Sequence, residues 1–447
     1  GRVYNGCLEP EPDEHYVNAN WPEGAEVHDA YMQRLRELFN IGPIPGNVMS
    51  PMSRLLLKIG RRLLGQRPDW FIADQVRVIE TAFLKECQGW GRCNAGCISD
   101  SKPDSSNTFW EWILRDYPNN TLLATQHRVL ELIGLGEGRV RAVRVGRVDP
   151  RTRQVQDDCV LSLSPRGRVY LAAGTFGSPK VLHASGMRRI LRPLYRNMHV
   201  HPITEVLFEF NREKILAVMG QHPLATQVWS QHGRPQSSVI RVPLPGKNGR
   251  RAWGYIECAL TPPAVMAFAS PGLVGQGIQD LVDAYPRIGL MGILYAETDD
   301  SSGFVWPVTE RAPFIHYRQG SIDRANMLTM LELTMRIFRE AGITDMRLNM
   351  VGPRLAHNRS ALAGAGFFTA DRIDEVVRSV RSGTNQVLLF ASHSGQTTTG
   401  VVEDFATGRV RGVKNVFLMD HSSIHDTGTH PTLPLWARVW ARMDGLG

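Results

Sequence analysis

The segment that most constrains the fold runs Arg168-Val-Tyr-Leu-Ala-Ala-Gly174-Thr-Phe-Gly177-Ser178-Pro179-Lys-Val-Leu-His-Ala-Ser-Gly-Met187. Arg168 to Ala172 reads as a strand and the residues after Pro179 as a helix, with Gly174 and Gly177 in the turn between them. Ser178 is suited to cap the helix, with Pro179 in its first turn. Glycines at such a turn let a bound group approach the backbone, although a well-capped turn with no ligand would satisfy the same residues.

A second constraining stretch runs from His393 to Leu433. It reads His393-Ser-Gly-Gln-Thr, a short Gly-bearing hairpin, a strand Asn415 to Asp420, and His421-Ser-Ser-Ile-His-Asp-Thr-Gly-Thr-His430-Pro431-Thr432-Leu433 leading into an apolar helix. Two histidines separated by a strand-to-helix crossover can converge on one point, and imidazole moves protons near neutral pH. Taken singly, each histidine suits a structural hydrogen bond equally well. His421 and His425 share that turn, and His199 and His201 open the middle region; all four read as structural or substrate-lining.

Strand patterns at Thr121–Ala124, Arg128–Ile133, Val140–Val148, Asp158–Leu163 and Pro202–Phe210 alternate with helical patterns at Val27–Phe39, Phe109–Asp116 and Asp323–Ala341. The middle region is expected to be a mixed sheet with helices on one side. Gly134-Leu-Gly-Glu-Gly138 imitates a dinucleotide loop, but a strand follows it where a helix should, so it reads as a hairpin turn. Met52 to Gly65 is a basic amphipathic segment, expected to pack its leucines on the core, with membrane-surface contact or the covering of a substrate entrance as the other readings.

Composition narrows the class. The chain has 447 residues, long enough for two or three domains, and 51 basic against 43 acidic residues give a net charge of +8. No nucleic-acid recognition motif accompanies that excess, which reads as solvated faces. No apolar run approaches a membrane span, and Gly1-Arg2 opens no visible secretion signal, so localisation is left open. Six cysteines do not make a disulfide framework, and Cys87, Cys93 and Cys97, in C-x5-C-x3-C, match no standard metal spacing; no metal site is expected.

Taken in order, these motifs resemble the glucose-methanol-choline (GMC) oxidoreductases, flavoenzymes that oxidise alcohols. The block Gly174 to Met187 is similar to the second signature of that family, departing where Arg188 replaces a glycine. Ser301-Ser-Gly303-Phe-Val-Trp306, Ala341-Gly342 and the strands around Val129 and Val143 follow the family order. So do Gly408 to Asp420 and His430-Pro431-Thr432-Leu433. The resemblance implies His393 as catalytic base and His430 as its partner, with hydride passing to flavin N5. It implies FAD contacts at Val129, Gly174, Asp420 and His421. The helix from Pro431, through the Thr432 and Leu433 backbone, would point its amides at the flavin ring.

The implied fold class is α/β: a GMC-type FAD-binding domain, incomplete at its N-terminus, with an inserted α+β substrate domain. Residues 1–117 would form an arm, lid and Cys/Gly loop, 118–192 and 385–447 the FAD-binding domain, and 193–384 the substrate domain. Two departures matter. Gln396 falls where the family has a glycine, and the family's N-terminal βαβ unit with its pyrophosphate loop is not found. Such a chain is expected to act on a small-molecule alcohol as the larger piece of a split, processed or heteromeric enzyme, a companion chain or segment supplying the missing loop. The alternative is a catalytically silent scaffold or binding subunit without flavin; lyase chemistry on the same fold would also use His393.

Overall fold

A computed structural model describes residues 17, 21–66, 76–78, 80–81, 84–91, 93, 97–135, 138–187, 198–209, 233–249, 251–259, 266, 270, 273–295, 297–298, 300–306, 314–352, 360, 362–396, 401–404, 406–420 and 432–445. Within 390–396 and 432–436 the description covers the backbone.

Long apolar runs in the middle of the chain form the principal sheet. Its strands are β1 (Val76–Val78), β6 (Met198–Glu209), β7 (Ser238–Pro245), β8 (Arg251–Ala259), β9 (Ile288–Tyr295), β12 (Asp345–Leu348), β13 (Phe368–Thr369) and β14 (Phe390–Gln396). The order is β13-β12-β6-β9-β8-β7-β1, and β14 pairs with the free end of β6. Every described pairing in this sheet is antiparallel, where a mixed sheet was expected. β9, Ile-Gly-Leu-Met-Gly-Ile-Leu-Tyr, is buried at every position because it lies centrally and is covered on both faces.

Three helices cover one face: α2 (Pro51–Gln66), α6 (Ser321–Glu340) and α7 (Ile373–Arg381). Val206, Phe208, Ile240, Ile256, Met291 and Ile293 meet Leu56, Met330, Phe338 and Val376 there, and the Phe208 and Phe338 rings stack at 4.3 Å. Leu55, Leu56, Ile59 and Leu63 of α2 are buried in this core, while Lys58, Arg61 and Arg62 face solvent. The apolar face of the basic segment is therefore occupied by the sheet and not offered to a membrane or an entrance. Helix α5 (Gln276–Ala284) covers part of the opposite face, over Leu207, Leu290 and Phe367.

A second unit is built around a parallel pair, β5 (Val169–Leu171) and β17 (Val416–Leu418), in the order β15-β16-β17-β5. β15 (Val402–Asp404) and β16 (Arg409–Val410) make the Gly-bearing hairpin, and α4 (Gly174–Ala184) follows β5. A three-stranded antiparallel sheet, β2 (His127–Ile133), β3 (Ala142–Val148) and β4 (Val155–Ser162), packs Leu132 and Val140 against Leu171, Leu182, Val416 and Leu418. The Asn415 side chain locks the two sheets together. It accepts from the Val140 amide and donates to the carbonyls of Val140 and Gly167, each at 2.9 Å.

The C-terminal helix α8 (Thr432–Asp444) packs on α1 (Ala25–Leu38). Arg438 makes a two-pronged pair with Glu23, at 2.6 and 3.0 Å, and Arg34 meets Asp444 at 2.7 Å.

Two local expectations fail for long-range reasons. Thr121–Ala124 is not a strand: Leu122 is 87% exposed and no described strand pairs with the run. Helix α4 begins at Gly174, not at Pro179, and Ser178 is not its N-cap. The Ser178 hydroxyl is instead engaged by a distant acceptor, Asp420.

The Phe208–Phe338 stack sets the seating of α6. Phe338→Ala is expected to destabilise the protein by about 3–5 kcal/mol, measured by chemical denaturation; a loss below about 1 kcal/mol would mean the core collapses around the gap.

Candidate active site

Two clusters carry the chemistry-bearing residues. The first is the junction of β5, α4 and β17. Met419 donates its amide to the Leu171 carbonyl at 2.8 Å, bringing Asp420 to the start of α4. Asp420 is 6% exposed, and its Oδ2 accepts from the Gly174 amide at 2.9 Å and the Ser178 hydroxyl at 2.5 Å. The Ser178 oxygen in turn accepts from the Ala173 amide at 3.2 Å. A carboxylate here satisfies donors that a helix N-terminus leaves open and complements its dipole. Gly174 has a φ of 77°, and nothing lies within 4 Å of where its Cβ would stand. The turn thus requires glycine and leaves open space above it.

Gly174 and Asp420, both singled out in the sequence, are therefore brought into direct contact. Val129 stands on β2, the strand against which α4 packs, with its side chain 37% exposed. Thr432 and Leu433 open α8, as the sequence implied, with their backbone in the first turn. His421, His430 and Pro431 lie outside the described residues.

Arg442 ties α8 to the end of β17 through the Leu418 carbonyl, at 3.0 Å. Gly408 makes room for this. Its φ is 74°, and a Cβ there would stand 2.6 Å from the Leu418 oxygen.

The second cluster lies where β14 meets β6. Ala391 pairs with Pro202 and Ser394 with Val200, so Ser392 and His393 together stand opposite His201. Two residues facing one is a β-bulge, a device that re-aims side chains and recurs beside active sites. His393 is on that bulge; its side chain lies outside the described atoms. Beside it, His199 is opposite Gly395, and His201 is 2% exposed.

Buried polar groups surround this end of β6. Glu297 accepts from the Val200 amide at 2.7 Å and from the Tyr317 hydroxyl, and its Oε2 lies 3.5 Å from His199 Nδ1. Asp323 accepts from the Thr298 amide at 3.0 Å and the Ser301 hydroxyl at 2.5 Å; burial pushes its carboxyl up to about 6. Further along β6, Glu205 accepts from the Asn349 amide at 3.0 Å, and Asn349 accepts from Arg347 at 3.0 Å. Burial pushes the Glu205 carboxyl up to about 7, against the opposing pull of Asn349 and Arg347, and lowers Arg347 to about 10.

Sequence reasoning missed Glu297, Tyr317 and Glu205. The only local signal was a single carboxylate just past the apolar run of β9 and another inside the apolar run of β6. His199 and His201 were visible as an alternating pair but without partners.

The Asp420 junction and the Glu205 carboxyl each give a test. Asp420→Ala leaves the Gly174 amide and the Ser178 hydroxyl without their acceptor; the expected loss is about 1–3 kcal/mol, with faster amide exchange confined to the first turn of α4. For Glu205, the folded value of about 7 lies above its ordinary 4.5. The stability tied to its neutral form is complete below the ordinary value and lost as pH rises through about 7. Glu205→Gln keeps an acceptor for Asn349 and is expected to gain about 1–2 kcal/mol over the parent near pH 8 and nothing near pH 4, by denaturation at both.

Comparison with known proteins bears on both clusters. The family model described as GMC oxidoreductase matches residues 75–203, which take in β1 to β5, α4 and the start of β6. No curated protein matches the chain. The crystal structure of pyridoxine 4-oxidase from Mesorbium loti is similar to it with a TM-score of 0.61 at 14% identity, covering 99% of this chain and 82% of that one. An FAD-dependent oxidoreductase from Chaetomium thermophilum is similar with a TM-score of 0.55 at 15% identity, covering 99% of this chain and 84% of that one. At such identities the likeness is one of fold. The likeness to the GMC oxidoreductase family model is thus confined to residues 75–203, and over the rest of the chain the likeness to oxidoreductases is one of fold.

Proposed function

We propose that the chain carries the larger part of an FAD-dependent enzyme that oxidises an alcohol, with His393 as base. The observation that carries this reading is the β-bulge at Ser392 and His393. A motif residue expected to take a proton falls on a local distortion of an otherwise regular antiparallel pair. The solved neighbour named as a pyridoxine oxidase supports oxidase chemistry on this fold. In this reading residues 118–192 and 385–447 hold the cofactor, 193–384 the substrate, and 1–117 form a covering arm.

The residues present fit one part of an FAD cradle. Gly174 offers bare backbone and open space at the start of α4, beside Asp420. These two, with Val129, His421, Pro431, Thr432 and Leu433 by sequence, would hold the cofactor. Bound FAD would supply the acceptor for the two electrons that an alcohol gives up on becoming a carbonyl. His393 would take the hydroxyl proton, which lowers the barrier to breaking the neighbouring carbon–hydrogen bond. His430 would hold the substrate oxygen in reach of that base.

In this reading the pyrophosphate loop comes from a companion chain or another segment, and β5 suggests where it would join. Among the described residues β5 pairs only with β17, through Val169 and Leu171. The backbone N–H and C=O of Tyr170 therefore point to the opposite edge; its ring, on the sheet face, stacks on Phe417 and is partly exposed. A parallel sheet is ordinarily extended and covered, so this edge suits an added strand-helix unit, from a companion chain or another segment.

An absorption spectrum, taken with and without any co-purifying chain, tests the split reading. Flavin bound only in the complex supports it; no flavin in either sample favours a non-catalytic scaffold. In the flavin-bound form, His393→Ala is expected to slow flavin reduction by alcohol about 10²–10⁴-fold with flavin retained. Undiminished reduction would remove His393 as the base.

A further inference from the structure

We propose that Glu297 is a positioning residue for the bulge that carries His393, acting through β6. The inference rests on the reading of His393 as base and concerns a residue to which neither the motifs nor the family match gives a role.

The argument starts where the ladder between β9 and β6 ends. Leu294 pairs with Ile203, and β9 stops at Tyr295 beside Pro202, a residue with no amide hydrogen to give. Beyond that point residues 198–201 of β6 have lost β9 as a neighbour. Chain leaving a sheet in this way must find other partners for its backbone, or fray. Glu297, two residues past the end of β9, supplies one. Its carboxylate accepts the Val200 amide at 2.7 Å, as a ladder carbonyl would have done.

The same carboxylate is fixed from two further sides. Tyr317, on β11 (Phe314–Arg318), donates its hydroxyl to Oε1, and the His199 ring lies 3.5 Å from Oε2. β11 forms a hairpin with β10 (Ser302–Trp306), and Gly303 on β10 approaches Met198 closely. A Cβ there would stand 3.2 Å from the Met198 oxygen and 2.9 Å from that of His316. Met198, Val200, Val305 and Tyr317 make a small apolar cluster around this contact. Among the described residues, Tyr295 and Asp323 also feel the Glu297 charge.

On its other edge, this stretch of β6 holds β14. Met198, His199 and Val200 pair with Gln396, Gly395 and Ser394, and His201 faces the bulge. Glu297 therefore holds Val200 and lies against His199, two of the three residues that set the register of the strand end next to His393. A charged acceptor is suited to this: a hydrogen bond to a carboxylate is roughly twice as strong as a neutral one.

The test uses the chain as it exists and needs no substrate. Hydrogen–deuterium exchange at the imidazole C2 carbon, read by mass spectrometry across pH, gives a titration midpoint and a rate for each histidine. In Glu297→Gln the His199 midpoint is expected to fall by about one pH unit, because a nearby negative charge is lost. The His393 exchange rate or midpoint should change with it, while the exposed His127, on β2, stays as it was. Tyr317→Phe removes one donor from the carboxylate and should move His393 in a folded protein if Glu297→Gln does not fold. His393 unchanged in both variants, or in Tyr317→Phe alone where Glu297→Gln is unfolded, overturns the proposal. A shifted His393 together with undiminished flavin reduction in His393→Ala would leave the positioning intact and remove the base assignment; the reverse pair of results would remove the positioning alone.

Discussion

The rest of the candidate site depends on the Asp420 carboxylate. It closes the end of β17 onto the first turn of α4, engaging the Gly174 amide and the Ser178 hydroxyl at once. Two segments 246 residues apart are joined there by one side-chain oxygen. Asn415, five residues earlier, fastens the same strand to the three-stranded sheet, and Arg442 fastens its end to α8. β17 thus sets the relative placement of Gly174, Asp420 and the start of α8.

The principal sheet solves a different problem. β9 and its neighbours bury apolar side chains on both faces, while β6 extends past β9 to hold β14. That overhang faces the bulge at His393 on β14 and gives its Val200 amide to the Glu297 carboxylate. A regular ladder would offer only alternating side chains at fixed spacing; the bulge and the overhang break that regularity at one place. Function is expected where local order gives way at a point the surroundings over-determine.

Much of this was legible in the sequence because it is written in short-range patterns. The strand-turn-helix at Arg168 to Met187, the hairpin through Gly408 and the helix after Leu433 all follow from periodicity and turn residues. Gly174 and Asp420 were both singled out, although their contact spans most of the chain. What stayed hidden depends on register and on distant acceptors. Ser178 looks like a local cap until Asp420 claims its hydroxyl, which lets α4 start four residues before Ser178. Glu297 looks like any carboxylate after a strand until β9 stops beside Pro202. Thr121–Ala124 has the composition of a strand but no described partner. The basic helix at 51–66, by contrast, packs its leucines on the core as its amphipathic pattern implied.

In the proposed reading the FAD site is completed by a strand-helix unit added along the edge of β5 that pairs with no other strand among the described residues. Hydrogen exchange at the Tyr170 amide tests it most directly, because that group points away from β17 and into the proposed joint. The account predicts rapid exchange in the chain alone. It predicts strong protection once a strand-helix unit bearing a pyrophosphate loop is supplied together with FAD. Protection already complete in the chain alone, or rapid exchange persisting in a complex that holds FAD, would contradict it.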